Sequence, residues 1–112
     1  IQNLNVLKLG REIRNKPRFK SKGINVNFVE NGNPSNIRTY ERGVEAETLS
    51  CGTGAVASSI ALYHSGFSEE NEIDLKTKGG VLSVKFDEFN GSYKNIWLTG
   101  MVNLVYIGEF EC

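Results

Sequence analysis

Gly52-Thr53-Gly54-Ala55-Val56-Ala57-Ser58-Ser59-Ile60-Ala61-Leu62-Tyr63-His64-Ser65 is the stretch on which the reading of the fold turns. From Ala55 to Leu62 its residues are small or apolar around the whole circumference of a helix, and a helix without a polar face is expected to be buried on all sides. Small side chains also let neighbouring backbone come close, as a sheet wrapped around the helix requires. Gly66 follows as a C-cap.

On the amino-terminal side of this helix the pattern changes twice. Residues Asn5 to Asn15 place Val6, Leu9 and Ile13 at helical spacing with charge on the other face, and Pro17 closes that helix. From Gly23 the period is two: Ile24, Val26 and Phe28 alternate with Asn25, Asn27 and Val29, which predicts a half-buried strand. Asn31-Gly32-Asn33-Pro34 is turn chemistry, and Ile37 to Glu41 is the return strand of a hairpin. On the carboxyl-terminal side, strands are expected at Glu72–Lys76, Val81–Phe86, Ile96–Leu98 and Val102–Ile107, punctuated by Gly79-Gly80, Asn90-Gly91 and Gly100. The expected fold is a single α+β domain over residues 1–112, with mostly antiparallel strands wrapped around one buried central helix.

Composition narrows the partners. The 112 residues carry 13 basic and 13 acidic side chains with mixed signs, so a nucleic-acid partner is not expected. The dense basic stretch from Arg11 to Lys22, interrupted by Pro17 and Phe19, reads as a solvated helix end and loop. No apolar run approaches the ~20 residues of a membrane span, and no signal peptide is visible. Cys51 and Cys112 form no disulfide framework and no zinc cluster, which makes a reducing, cytoplasmic setting the default.

The chemistry lies in Glu41-Arg42-Gly43-Val44-Glu45-Ala46-Glu47-Thr48-Leu49-Ser50-Cys51-Gly52-Thr53-Gly54-Ala55, which joins a strand to the helix. Cys51 falls where the helix begins. The free N–H groups of a first turn and the helix dipole form an anion site, and they favour the thiolate of a cysteine there. A thiolate beside a carboxylate seat suits acid–base chemistry at the carbon next to that carboxylate. The plainer alternative is that Cys51 is a small buried hydrophobe and its glycines shape a turn. Other cysteine chemistries fit less well. A Cys-x-x-Cys pair is absent, Ala57 stands where a phosphatase-type loop wants arginine, and His64 lies about three turns from Cys51 as a helix-end or surface residue.

These residues resemble the second active-site signature of the diaminopimelate epimerases in Glu41-Arg42-Gly43, Glu47-Thr48 and Cys51-Gly52-Thr53-Gly54-Ala55. Gly23-Ile24-Asn25-Val26-Asn27-Phe28-Val29 resembles the family's Asn-containing strand, and Gly79-Gly80-x-Leu82-x-Val84 and Leu98-Thr99-Gly100 resemble its closing strands. The likeness runs from about residue 3 to residue 110. One departure is the loop before the cysteine, which is one residue longer than the family pattern and has Ala46 where glycine is usual.

The resemblance implies an isomerase that inverts an amino-acid stereocentre with two cysteines and no cofactor, each thiol opening a buried helix in one of two similar halves. On that plan Cys51 is one acid/base, and Gly52 and Thr53 supply N–H groups to the substrate carboxylate. Arg42 grips the distal carboxylate of diaminopimelate, Glu41 takes an ammonium group, and Asn25 contacts the distal end, with Asn27 as the rival for that place. The family's other cysteine sits in a Cys-Gly-Asn-Gly motif with no counterpart here, and Cys112 ends the chain after a strand, so it reads as incidental. With Ile1 rather than Met at the start, the expectation is a carboxyl-terminal half that is inactive alone. Its partners would be the missing amino-terminal half and, as a further candidate, a second copy in a homodimer. Two other readings stay open: a proline or hydroxyproline racemase-like isomerase, and a non-catalytic ligand-binding or assembly domain with the same fold.

Overall fold

In the computed structural model, which describes residues 1–112, the side chain of Asn5 opens helix α1 (Val6–Arg14) by accepting the Lys8 N–H at 3.0 Å. The helix stops at Asn15, two residues before Pro17. It lies so close to the sheet that a side chain at Gly10 would overlap the Tyr40 ring, so glycine is the residue that permits the contact.

The strands are β1 (Val26–Glu30), β2 (Ser35–Glu41), β3 (Ala46–Thr48), β4 (Glu72–Thr77), β5 (Gly80–Phe89) and β6 (Ser92–Gly100). They form one sheet in the order β1-β2-β4-β5-β6, with β3 paired to the far end of β2. Pairing is antiparallel throughout except between β2 and β4, where Ser35 and Asn36 face Leu75 and Lys76 in parallel. Helix α2 (Gly52–His64) lies in the crossover between β2 and β4 that this parallel pair requires. A bulge near Asn95 (φ 50°) bends β6 opposite Phe86.

Period two sorts the strand residues between the helices. Tyr40 of β2 and Val26 of β1 pack with Val6 under α1, joined by Leu4, Ile13, Ile24 and Phe28. Ile37 of β2 packs on the opposite face with Ala55 and Leu62 of α2 and with Ile73, Leu75, Val84 and Phe86. Edge-to-face contacts of Phe86 with Tyr63 and Tyr93 close the far end of this core.

The mixed α+β class stands, and two expectations are corrected. Helix α2 is not buried on all sides in this chain: Gly54, Ala55, Ser58, Ser59 and Leu62 face the sheet, while Thr53, Ala57, Ala61 and His64 are exposed. A single sheet covers one face of a helix, and small apolar residues tolerate either environment. Residues Val102–Ile107 form no strand, and all of residues 101–112 are exposed without regular structure. Their β-branched composition carries strand propensity, but their backbone pairs with no strand of the sheet, and composition alone does not supply those hydrogen bonds.

The strand β3 was not foreseen, and ion pairs explain it. Glu47 takes a paired contact from Arg38 at 2.6 and 2.7 Å and a third from Lys78 at 3.0 Å. Arg38 also donates to the carbonyls of Ile1, Gln2 and Leu4. The hydrogen bonds from Arg38 hold the Glu47 carboxyl below its ordinary pKa, with Lys78 adding to the shift and burial opposing it. A carboxylate shifted downward stabilises the fold above its unfolded pKa, and that contribution is lost as pH falls through the folded value. Glu47→Gln should therefore cost about 1–2 kcal/mol at neutral pH. In chemical denaturation of the full-length protein, the difference from wild type should shrink as pH drops below the ordinary carboxylate range.

Candidate active site

Cys51 occupies the N-cap of α2 in an extended conformation (φ −139°, ψ 109°), so its carbonyl accepts the Ala55 N–H at 2.9 Å while its side chain leaves the helix axis. No side chain caps the helix, and the N–H groups of Gly52, Thr53 and Gly54 find no acceptor within the chain. They carry the positive end of the helix dipole, where an anion is stabilised. Cys51 itself is 7% exposed.

The first turn sits where it does because of what lies beneath it. A Cβ at Gly54 would come within 2.5 Å of Asn27 Oδ1 and 3.2 Å of Thr39 Oγ1. These two side chains are bonded to each other, with the Thr39 hydroxyl donating to Asn27 at 2.8 Å. Gly54 is thus the point at which the helix rests on the β1–β2 pair. Gly52 meets only the tip of Leu98, 2.8 Å from an added Cβ.

Asn25, just before β1, brings three predicted residues together. Its Nδ2 donates to Thr53 Oγ1 at 3.3 Å and lies 3.8 Å from Cys51 Sγ, while its Oδ1 accepts the backbone N–H of Arg42 at 2.8 Å. Thr53 Oγ1 is also 3.5 Å from the sulfur. Asn27, on the same face two residues along, lies under the helix and does not reach the thiol in this way.

Glu41 and Arg42 leave the end of β2 in different directions. Glu41 Oε2 accepts the Thr48 hydroxyl at 2.7 Å. The Arg42 side chain is exposed and lies along Gly23, with one 3.4 Å hydrogen bond from Nη1 to the Lys22 carbonyl. The structure therefore brings the Arg42 backbone, rather than its guanidinium, to the thiol group's surroundings. The loop between β2 and β3 is a four-residue hairpin, Arg42 to Glu45, closed by the Glu41–Ala46 pair and by the Glu45 N–H bonded to the Glu41 carbonyl at 2.8 Å.

The segment before the cysteine is tied residue by residue. Glu47 is held by Arg38 and Lys78, Thr48 by Glu41, and the Leu49 carbonyl by the Gly79 N–H at 2.8 Å. Sequence reasoning did not pick out Thr39, Arg38 or Lys78; the even spacing of Asn25, Asn27 and Val29 was the one signal that a polar patch shared a face. His64, at the far end of α2, is exposed and bonds the Tyr93 hydroxyl at 3.2 Å. Cys112 is exposed and belongs to no element.

This packing separates the two glycines. Gly54→Ala should cost about 1–3 kcal/mol, because backbone or a bonded pair of side chains has to move. Gly52→Ala displaces one flexible leucine tip and should stay within about 0.5 kcal/mol. Denaturation midpoints of the two variants of the full-length protein check the ranking.

The family model for diaminopimelate epimerase matches residues 1–105. A diaminopimelate epimerase from Aquifex aeolicus is 44% identical over 114 residues, covering 99% of this chain and 40% of that protein. One from Flavobacterium psychrophilum is 43% identical, covering 95% of this chain and 42% of that protein. One from a Hydrogenobaculum species is 53% identical over 85 residues, covering 73% of this chain and 30% of that protein. The chain thus spans about two fifths of the length of the first two of these curated relatives. Among solved structures, phenazine biosynthesis proteins of the PhzF family share the fold. The one from Bacillus anthracis has a TM-score of 0.59 at 20% identity, over 83% of this chain and 29% of that one. The one from Enterococcus faecalis has 0.58 at 18%, over 74% and 28%. The match of the family model over nearly the whole chain, with relatives 44% and 43% identical across it, establishes that this chain belongs to the diaminopimelate epimerase family.

Proposed function

We propose that the protein containing this chain is an epimerase that interconverts LL- and meso-2,6-diaminopimelate by proton transfer between two thiols, without pyridoxal phosphate. The observation that carries this reading is the Asn25 side chain, whose two ends touch the helix start with its thiol and the Arg42 backbone. A thiol and a helix start whose first N–H groups lack acceptors are thereby linked to the segment that carries Glu41 and Arg42.

In this scheme one thiolate removes the α-hydrogen, and the thiol on the opposite face returns a proton, so the two sulfurs exchange protonation states and no electrons change hands. Cys51 serves one face. Negative charge that builds on the substrate carboxylate meets the N–H groups of Gly52 and Thr53, which have no acceptor of their own within the chain. Glu41 keeps Oε1 free of intrachain bonds and takes the distal ammonium group. Arg42 releases its long, exposed bond to the Lys22 carbonyl and turns to the distal carboxylate. Asn25 orients the thiol side and borders the distal end.

The partner thiol belongs to the rest of the protein, of which this chain is the carboxyl-terminal half. Strands from outside the chain close over Ala57 and Ala61, which makes α2 the central helix of the complete half. The reaction belongs to the cytoplasm, in the supply of lysine and peptidoglycan precursors. In the full-length protein Cys51→Ala should lower epimerisation at least about a hundredfold, the scale of a lost acid–base group, whereas Cys112→Ala should change little. The isolated chain should not invert the substrate, since one thiol cannot serve both faces. Exchange of the α-hydrogen with solvent deuterium, followed with the stereoisomer ratio, measures all three; turnover retained without Cys51 would contradict the proposal.

A further inference from the structure

One residue of the hairpin loop before the cysteine is held under strain. Glu45 adopts φ 56°, and the other non-glycine residues at positive φ in this chain, Asn90 and Asn95, are of the type that tolerates it. A glutamate stays there only when its surroundings over-determine it. Its Oε2 accepts the Gly43 N–H at 3.0 Å, and its Oε1 lies 2.5 Å from Arg14 Nε at the last turn of α1. Arg14 in turn donates from Nη1 to the Lys20 carbonyl at 3.1 Å. Gly23 (φ 71°) lies between the arginines: a Cβ there would be 3.0 Å from Arg14 Nη2 and 3.1 Å from Cγ and Cδ of Arg42.

We infer that Glu45 is a positioning residue for Arg42. The carboxylate ties the hairpin to the end of α1 and balances the charge of Arg14, which would otherwise stand unpaired beside the Arg42 stem. Residue 42 is then held where its N–H reaches Asn25 and its guanidinium, bound elsewhere only by one 3.4 Å contact, can swing to a ligand. The inference rests on the proposed role of Arg42 at the distal carboxylate.

The test is steady-state kinetics of the full-length protein with diaminopimelate. Glu45→Gln and Arg14→Gln should each raise KM about two- to fivefold, the effect of a partly exposed ion pair, and leave kcat within about twofold. The double variant should be no worse than either single. Arg42→Met should raise KM further, and adding Glu45→Gln to it should bring no additional increase. If Arg42→Met raises KM while Glu45→Gln does not, or if the two multiply as independent changes, the inference is overturned and the role of Arg42 survives. If Arg42→Met leaves KM unchanged, the distal-carboxylate role falls and the inference with it. A purely architectural Glu45 would instead lower the melting temperature with no coupling to Arg42, and Glu45→Gly, which relieves the backbone strain, would then restore wild-type KM.

Discussion

The close approach of the first turn of α2 to the β1–β2 pair is the constraint on which the site depends. Gly54 has no side chain, so the helix start settles onto the bonded Asn27 and Thr39 side chains. Contact at that depth fixes the direction in which Cys51 leaves the N-cap and brings Thr53 beside the sulfur. The N–H groups of Gly52, Thr53 and Gly54 find no acceptor within the chain. A thiol and the positive end of a helix dipole are brought to one point by a single packing contact.

What precedes the cysteine resists displacement from a different source. Residues 47 to 49 are bonded to β2 and to the turn between β4 and β5, and the paired contact between Arg38 and Glu47 is a strong, charge-assisted one. Arg38 extends the same network to the amino-terminal segment that leads into α1. Packing locates the helix start and electrostatics locates the strand that delivers it, so the site has two independent supports. Under the proposed function, such supports hold a group that has to meet a reacting carbon within a few tenths of an ångström.

The features legible in the sequence were those that local physics decides. Alternation in Ile24–Val29 exposed a half-buried strand, and Cys51 followed by two spaced glycines marked a helix start. Features decided by distant partners were not legible. The strand β3 is three residues long and exists because Arg38 and Lys78 converge on Glu47. Period two placed Asn25 and Asn27 on one face but could not say which lay under the helix; the seating of Gly54 decides it. The small apolar residues of α2 reported what burial the helix can tolerate, not how much of it this chain's sheet supplies. Val102–Ile107 has strand composition, and composition alone provides no neighbour to pair with.

The central claim is that the Cys51 sulfur faces the place where the substrate carboxylate binds. Alkylation of the full-length protein by a small iodoacetamide reagent, followed site by site by mass spectrometry with and without diaminopimelate, tests it most directly. The account predicts that diaminopimelate slows modification of Cys51 and leaves the rate at Cys112 unchanged. Equal rates at Cys51 with and without saturating diaminopimelate would contradict it.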